Sequence, residues 1–181
     1  GETGDLLFTH RGISGPMVVN LSGSISSALQ KSDSVTVLIN FIPNDFDAQA
    51  VFKRWRTQEG KKLLVNHLKT ILPNAMAEVF CELADISLKM KASELSRPQA
   101  EKLEELLTRC PLAIVRTEGF EKAMVTRGGV SLKEVDPGTM QSKLISGLYF
   151  AGEVLDLDGP CGGYNLQWAF SSGFMAGNSI S

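Results

Sequence analysis

Hydrophobic positions divide the chain into two strand-rich stretches with a helical block between them. Short apolar runs bounded by glycine and proline, which are typical of β-strands, occur at 5–9 and 35–42. From 45 to 110 the apolar residues recur three and four positions apart, which is the spacing of amphipathic helices. Strand-like runs return after Pro111. The pattern predicts an α+β chain in which one domain is inserted into another.

The N-terminal stretch predicts a strand, a loop and a helix. DLLFT at 5–9 has strand character, and HRGISGP at 10–16 has the glycines and proline of a loop. Pro16 suits the first turn of a helix, because proline lacks the N–H that a helix start leaves unbonded. Apolar residues then follow near helical spacing at Met17, Val18, Leu21, Ile25 and Leu29.

The helical block is predicted to contain several helices. Pro73 and Asn74 interrupt the apolar pattern and mark a boundary between two of them. Ser96 and Gln99 have the spacing of a capping box, in which each side chain bonds the backbone N–H of the other residue. The helix that starts there has an apolar stripe formed by Leu103, Leu106 and Leu107.

After Pro111 the sequence again favours strands. LAIVRT, KAMVT and VSLKEV follow one another between 112 and 135, and DPGT at 136–139 has the residues of a turn. LYFA at 148–151 is a further predicted strand, and it leads into a glycine-rich segment. In the helix predicted after that segment, one face is formed by Leu166, Ala169 and Phe170.

Composition and charge exclude some classes of protein. The 181 residues are 43% hydrophobic and 21% charged, which is ordinary for a globular protein. A net charge of −2 disfavours nucleic acid as a partner, and no apolar run approaches the roughly 20 residues of a membrane-spanning helix. Three separated cysteines without a C-x-x-C pair indicate neither a metal site nor a disulfide framework. We therefore expect a reducing, cytoplasmic setting.

Two C-terminal motifs have the residue types of a nucleotide site. In AGE at 151–153, the glycine allows close approach of a ligand, and the Glu153 carboxylate is able to accept hydrogen bonds from sugar hydroxyls. Gly162 and Gly163 precede a helix, whose start has free N–H groups and partial positive charge. That start suits a phosphate or an electron-rich flavin carbonyl. The alternatives are a tight turn with a solvated Glu153 and an ordinary flexible loop.

Three further groups of residues are open to two interpretations. VTRGGV at 125–130 is typical of a hairpin turn, or it presents Thr126, Gly128 and Gly129 to a substrate or flavin edge. His10 is either structural or an acid or base, so His10 and Thr126 are the candidate catalytic residues. A basic cluster is either a solvated helix face or a phosphate-attracting patch for a nicotinamide nucleotide; it contains Lys53, Arg54, Arg56, Lys61 and Lys62.

Taken in order, three segments resemble one protein family. GDLLFTHRGISGP, VTRGGVSLKEVDPGTMQSK and GLYFAGEVLDLDGPCGGYNLQWAFSSGFMAG are similar to bacterial NAD(P)/FAD-dependent oxidoreductases of the YhiN/BaiN type, a group of aminoacetone-oxidase-like flavoproteins. The likeness is specific over 4–20 and 123–177 and loose through the helical block. It implies FAD-mediated hydride transfer, with NAD(P)H as donor and an unidentified small molecule as acceptor.

The resemblance also implies a domain plan and a cofactor site. Residues 1–44 and 111–140 would form a β-barrel-like insert, 45–110 its helical subdomain, and 141–181 the closing strand and helix of a split Rossmann-like FAD domain. Gly152 and Glu153 would face the ribityl–pyrophosphate part of FAD, with Thr126, Gly128 and Gly129 nearby. The pyrimidine edge of the flavin would lie at the last helix start, beside Gly162, Gly163, Tyr164, Asn165 and Leu166.

The sequence departs from the family in one respect. The family's first strand, its G-x-G-x-x-G loop and the acidic residue that holds the adenosine ribose have no counterpart among these residues. We therefore interpret the chain as a piece of a longer protein, without the N-terminal half of the FAD domain, and expect it to bind FAD weakly or not at all. A second hypothesis is a non-catalytic binding or assembly module with a flavoprotein-derived fold. A third is a methyl- or phosphoryl-transfer domain.

Overall fold

The computed structural model describes residues 1–180 as a mixed α+β chain. Over this range there are six α-helices and two two-stranded sheets, and none of the helices is long and apolar enough to cross a membrane. The chain divides into two compact units. Unit 1 comprises Gly1–Val35 and the chain from Val115 onward, and unit 2 comprises Thr36–Ile114. Each unit contains its own hydrophobic core.

Unit 1 begins with a β-hairpin followed by a helix. β1 (Leu7–Thr9) pairs antiparallel with β2 (Gly12–Ser14). α1 (Pro16–Leu29) follows, with the predicted proline in its first turn. A Cβ on Gly15 would lie 2.4 Å from the carbonyl oxygen of Asp5, so only glycine fits where the hairpin meets α1.

Unit 2 is a helical block closed by a small sheet. Its elements follow in the order β3 (Val35–Ile39), α2 (Ala48–Gln58), α3 (Leu64–Leu68), α4 (Asn74–Leu83), α5 (Arg97–Arg109) and β4 (Cys110–Ile114). β3 pairs with β4, so the two ends of the helical block are joined through the sheet. The boundary predicted at Pro73 and Asn74 is confirmed, because α4 starts at Asn74.

The core of unit 2 is formed by the inner faces of its helices. Leu64, Leu68, Leu103 and Leu107 have no exposed surface. Burial of one such side chain contributes about 1.5–3 kcal/mol, so these leucines supply a large share of the stability of the unit. The predicted stripe of α5 is therefore confirmed for Leu103 and Leu107, while Leu106 is only partly buried and packs at the edge of the core.

The capping box at the start of α5 is present. The Gln99 backbone N–H donates to the Ser96 hydroxyl (3.4 Å), and the Ser96 backbone N–H donates to the Gln99 side-chain oxygen (3.3 Å). The two bonds satisfy donors that a helix start leaves free. The Gln99 amide also donates to the carbonyl of Asp85 (2.9 Å), which ties the α5 start to the segment after α4.

The C-terminal part of unit 1 is built mainly from turns that pack against one helix, α6 (Tyr164–Ser179). Short 3-10 turns occur at Leu132–Glu134 and Gly152–Val154. A small core links these turns to the helix, and beside it lies an apolar cavity of about 130 Å³. The buried members of that core are Val135, Met140, Leu155 and Ala176.

Three strands predicted after residue 120 are wrong. KAMVT is a turn and irregular backbone, VSLKEV contains a 3-10 turn, and LYFA contributes only an isolated bridge between Tyr149 and Gln141. Their alternating apolar residues suggested a sheet. In the structure Val130 and Phe150 pack individually against the small core, so the alternation reflects burial without continuous strand pairing.

Other element boundaries shift by a few residues. The predicted loop at 10–16 contains β2, and the strand predicted at 35–42 ends at Ile39. It ends there because the Asn40 side chain accepts a hydrogen bond from the Ile42 backbone N–H (3.1 Å), which turns the chain away from the sheet.

Candidate functional site

The residues that the sequence singled out in 126–130 and 152–155 lie side by side in unit 1. The Val130 N–H donates to the Val154 carbonyl (2.8 Å), and Val130 forms a parallel bridge with Leu155. A Cβ on Gly129 would lie 2.4 Å from the Val154 carbonyl oxygen. Glycine at 129 is therefore needed for the two segments to approach this closely.

A charged side chain from the second segment anchors the first. One carboxylate oxygen of Glu153, Oε1, accepts both the Thr126 backbone N–H (2.7 Å) and the Thr126 hydroxyl (2.8 Å). These donors, the backbone N–H first, hold the pKa of Glu153 below its ordinary value. Among residues 1–180 no side chain or backbone group bonds the other oxygen, Oε2, so it is available to a ligand.

The turn that carries Glu153 is held by α6. Gly152 adopts a left-handed φ of 73°, its backbone N–H donates to the Ser172 hydroxyl (2.9 Å), and its carbonyl accepts from the Trp168 indole N–H (3.2 Å). Ser172 is fully buried. Both backbone groups of Gly152 are thus fixed by side chains one helical turn apart, and we name this arrangement the Gly152 clasp.

The glycine-rich loop delivers the chain to the start of α6. Asn165 holds the loop by accepting from the Gly159 N–H (2.7 Å) and donating to the Gly159 carbonyl (3.0 Å). Gly163 is left-handed, with a φ of 92°, and no side chain among residues 1–180 caps the helix start. The first backbone N–H groups of α6 and its positive dipole end are therefore presented without a competing protein acceptor from a cap.

Charged and polar side chains bring α1 to the same region of unit 1. The Cys161 backbone N–H donates to the Asn20 side-chain oxygen (2.7 Å). Arg127 lies over Gly23 of α1, where a Cβ would be only 3.0 Å from a guanidinium nitrogen, and its Nε is 3.9 Å from an oxygen of Asp158. The loop at 126–130, the glycine-rich loop and α1 therefore surround one location.

One face of α6 is apolar and exposed. Of the predicted face of Leu166, Ala169 and Phe170, Ala169 is partly buried, whereas Leu166 and Phe170 are 66% and 72% exposed. Phe174, one turn later, is 73% exposed. Tyr164, in the first turn, is also exposed. The opposite face carries Ser172 and packs on unit 1. Exposure of several large apolar side chains along one helix is unusual for a surface that contacts only solvent.

His10 is the second catalytic candidate, and it has different neighbours from Thr126. It occupies the turn between β1 and β2, next to Arg11, which forms an exposed ion pair with Glu118 (3.4 Å). No hydrogen bond within the described residues joins His10 to Thr126 or Glu153. Among residues 1–180, no group of three or more His, Cys, Asp or Glu side chains is arranged to hold a metal ion.

Sequence reasoning missed the residues that support the site. Trp168 and Ser172 fix Gly152, and Asn20 fixes the loop at Cys161, but the sequence analysis predicted no role for any of the three. Trp168 and Ser172 are four residues apart, so they lie on one face of α6. This spacing is the signal in the sequence that could have identified them. Their partner is a backbone group distant in sequence, so the pairing emerges only in the fold.

The first prediction concerns the Thr126–Glu153 contact. Thr126→Val removes the hydroxyl donor and retains side-chain shape and the backbone N–H, so we expect the Glu153 pKa to rise toward its ordinary value. The pKa of Glu153 is lower in the folded state than in the unfolded state. The contact therefore stabilises the fold fully at pH values above the unfolded-state pKa, and this stabilisation is lost as the pH falls through the folded-state pKa. Valine should therefore reduce the loss of stability on acidification. A carboxyl-carbon NMR titration measures the shift.

Asp136 serves as the internal reference for that titration. Its pKa is also lowered, chiefly by the Gly138 backbone N–H, and it makes no contact with Thr126. Its titration should be unchanged in Thr126→Val. An unchanged Glu153 titration in the variant would show that the hydroxyl bond does not exist in solution.

The second prediction concerns the Gly152 clasp. Ser172→Ala leaves the Gly152 N–H without its acceptor at a buried position, and such a loss costs about 1–3 kcal/mol. We expect the free energy of unfolding of unit 1 to fall by that amount in urea denaturation. Ser171→Ala removes an exposed hydroxyl from the same helix and should have little effect. Equal losses in the two variants would contradict the clasp.

Comparison with known proteins assigns the chain to a family. A family model described as "HI0933-like protein barrel and H2TH domain" matches residues 1–125. The match covers the N-terminal hairpin, α1 and unit 2 and ends just before Thr126.

Curated relatives extend the likeness across the chain. The 3-dehydro-bile acid delta(4,6)-reductase of Clostridium scindens is 37% identical over 99% of this chain and 44% of its own length. The ribosomal RNA dihydrouridine synthase of Haemophilus influenzae is 38% identical over 97% of this chain and 42% of its own. The Escherichia coli protein of the same name is 37% identical over 97% and 42%. The chain spans less than half the length of these relatives, and it belongs to the HI0933-like family of flavoprotein oxidoreductases, the YhiN/BaiN type that its motifs resemble.

Proposed function

We propose that these residues form part of the FAD site of an oxidoreductase that passes hydride from NAD(P)H through FAD to an organic acceptor. The observation that carries the proposal is the uncapped start of α6 in the same unit as Glu153, whose Oε2 accepts no hydrogen bond from residues 1–180. FAD supplies the hydride chemistry when bound, and the protein supplies position and electrostatics.

The residues present fit such a cofactor. Gly162 and Gly163 have positive φ values, and a Cβ on Gly163 would meet nothing within 4 Å, so the loop offers an open, side-chain-free approach. The N–H groups from Tyr164 to Leu166 favour an electron-rich carbonyl edge. We propose that Oε2 of Glu153 accepts a hydrogen bond from a ribityl hydroxyl. The glycines at 128 and 129 keep the neighbouring loop free of side chains.

The exposed stripe of α6 supports the domain plan inferred from the resemblance. We propose that Leu166, Phe170 and Phe174 pack against a parallel sheet that completes a split Rossmann-like FAD domain, with 141–181 as its closing element. Residues 1–44 and 111–140 would form the barrel-like insert and 45–110 its helical subdomain. The greater length of the curated relatives is consistent with such a sheet.

The names of the relatives suggest a substrate class. One name denotes reduction of double bonds in a 3-oxo bile acid, and the other denotes saturation of the uridine ring in ribosomal RNA. Both reactions add hydride and a proton across a carbon–carbon double bond conjugated to a carbonyl. We propose the same reaction type here, in a cytoplasmic setting, with His10 and Thr126 as candidates for the groups that position or donate the proton.

A non-catalytic binding or assembly module is the second candidate. The observation that favours it is the same exposed stripe of α6, because an apolar helix face also suits association with another protein. The two candidate functions differ in whether the purified protein retains bound flavin.

The third prediction tests the FAD proposal directly. The protein expressed from the complete open reading frame that contains these residues should be purified with FAD, seen as visible flavin absorbance. NADH or NADPH should bleach it under anaerobic conditions, and an α,β-unsaturated ketone should restore the colour. Glu153→Gln should weaken FAD binding about tenfold or more, because a hydrogen bond to a charged carboxylate is replaced by a weaker one to a neutral amide.

Glu134→Gln is the matched control, since it removes an exposed carboxylate from another turn of unit 1 and should bind FAD normally. A protein that folds, contains no flavin and does not oxidise NAD(P)H would refute the oxidoreductase proposal and favour the module. Equal FAD affinity in Glu153→Gln and the unmodified protein would refute the role of Glu153 alone.

A further inference from the structure

Unit 1 contains an apolar cavity that the flavin proposal does not use. It has a volume of about 130 Å³ and is bordered by the segment 132–140, by Leu155 and by α6. We name it the Met140 cavity. Its lining consists of Leu132, Val135, Pro137, Met140, Leu155 and Trp168.

The chemistry of the lining favours an apolar ligand. Five of the six side chains are aliphatic or thioether groups, and the sixth, Trp168, has a single hydrogen-bond donor. That indole N–H already donates to the Gly152 carbonyl (3.2 Å). A buried water molecule needs about two to four polar partners, which these side chains do not supply. Because none of the six is charged, an ionised ligand is disfavoured as well.

The volume of the cavity limits the size of the ligand. An engineered cavity of about 150 Å³ in another protein, with a similar aliphatic and aromatic lining, binds benzene or xenon. The Met140 cavity, at about 130 Å³, is slightly smaller. One six-membered ring is therefore about the largest group that it accommodates.

Hydrogen bonds hold the backbone around the cavity in place. The carboxylate oxygen Oδ1 of Asp136 accepts from the backbone N–H groups of Gly138 (2.8 Å) and Thr139 (3.1 Å). The Met140 N–H donates to the Asp136 carbonyl (2.8 Å), and the Met140 carbonyl accepts from the Phe150 N–H (3.0 Å). Since the wall is already ordered, a ligand binds without the entropic cost of ordering it.

The backbone at Met140 indicates that the cavity is more than a gap in packing. Its φ of 62° lies in the left-handed region, which residues other than glycine seldom adopt. Strained backbone of this kind is concentrated at functional sites and ligand clamps. The side chain of Met140 is buried, so this conformation holds a flexible thioether in the cavity wall.

We propose that the Met140 cavity binds a small neutral ligand through a single aromatic ring. The Met140 sulfur and the Trp168 ring both interact favourably with aromatic groups, which favours an aromatic ring over an aliphatic one. Leu132 is 43% exposed and Pro137 is exposed, so the ring enters the cavity on their side. The inference does not rest on the flavin site.

NMR of the protein expressed from the complete open reading frame tests the proposal, with benzene as the probe. The methionine methyl groups and tryptophan indole nitrogens are labelled, and Met140→Leu and Trp168→Phe identify the two signals of interest. We expect saturable shifts of both signals, because both side chains line the cavity. The indole signal of Trp55, which belongs to α2 of unit 2, should not change.

Cyclohexane distinguishes an aromatic site from a merely apolar one. It has the same number of ring atoms and no π electrons, so we expect it to bind at least about threefold more weakly than benzene. Shifts of neither cavity signal up to the solubility limit of benzene would overturn the proposal. Equal or tighter binding of cyclohexane would also overturn it.

Two tryptophan substitutions in the same 3-10 turn locate the site. Leu132→Trp introduces an indole into the lining and should weaken benzene binding at least about tenfold. Lys133→Trp introduces the same side chain at the neighbouring exposed position and should leave the affinity unchanged. Circular dichroism checks that both variants are folded. Equal benzene affinity in the two variants would overturn the proposal.

A smaller change keeps the test decisive if Leu132→Trp does not fold. Val135→Ile adds one methylene group to the lining and should weaken benzene binding at least about threefold. Val130→Ile adds the same group to the same small core, at a position that does not line the cavity, and should change the affinity far less. Equal effects of these two substitutions would contradict binding in the Met140 cavity.

Discussion

The Gly152 clasp is the interaction on which the candidate site depends. A glycine turn with a left-handed backbone has two polar groups to satisfy, and α6 satisfies both through Ser172 and Trp168. Glu153 follows directly in the chain, so its position is fixed by the same contacts. Without the clasp, the turn would be free to move relative to α6, and the carboxylate would lose its fixed relation to the helix start.

The clasp also explains why α6 has two unlike faces. The face that holds Gly152 is small and polar at its centre, with a fully buried serine, and it packs on the turns of unit 1. The other face carries exposed leucine and phenylalanine side chains. In the described part of the chain no side chain caps the start of α6, which leaves backbone N–H groups available. One helix thus organises the site on one side and offers an apolar surface on the other.

Much of the local structure could be predicted from the sequence, because local signals determine it. Pro16 starts α1, Ser96 and Gln99 form the expected capping box, and the Gly162-Gly163 pair precedes α6. The strands predicted after residue 120 failed because alternating apolar residues report burial on one side and do not require a pairing partner. The structure places those residues against a helix and uses isolated bridges.

The site itself was only partly predictable. Glycines mark where the backbone must turn or approach closely, so Gly129, Gly152 and Gly163 were found. The side chains that hold the Gly152 turn, Trp168 and Ser172, lie 16 and 20 residues further along the chain, and their residue types alone do not indicate this role. Average charge was similarly uninformative, since a net charge of −2 gives no sign of the five exposed cationic side chains between residues 53 and 62. Local arrangement, and not composition, determines what each surface attracts.

The central claim is that Glu153 and the start of α6 contact a flavin. Amide NMR of the isotope-labelled chain during titration with riboflavin tests it most directly, because riboflavin carries the ring and the ribityl chain that these groups are proposed to contact. The account predicts the largest shift changes at Glu153 and from Gly162 to Leu166, even if binding is weak. Changes confined to other residues, or none at the solubility limit of riboflavin, would contradict it.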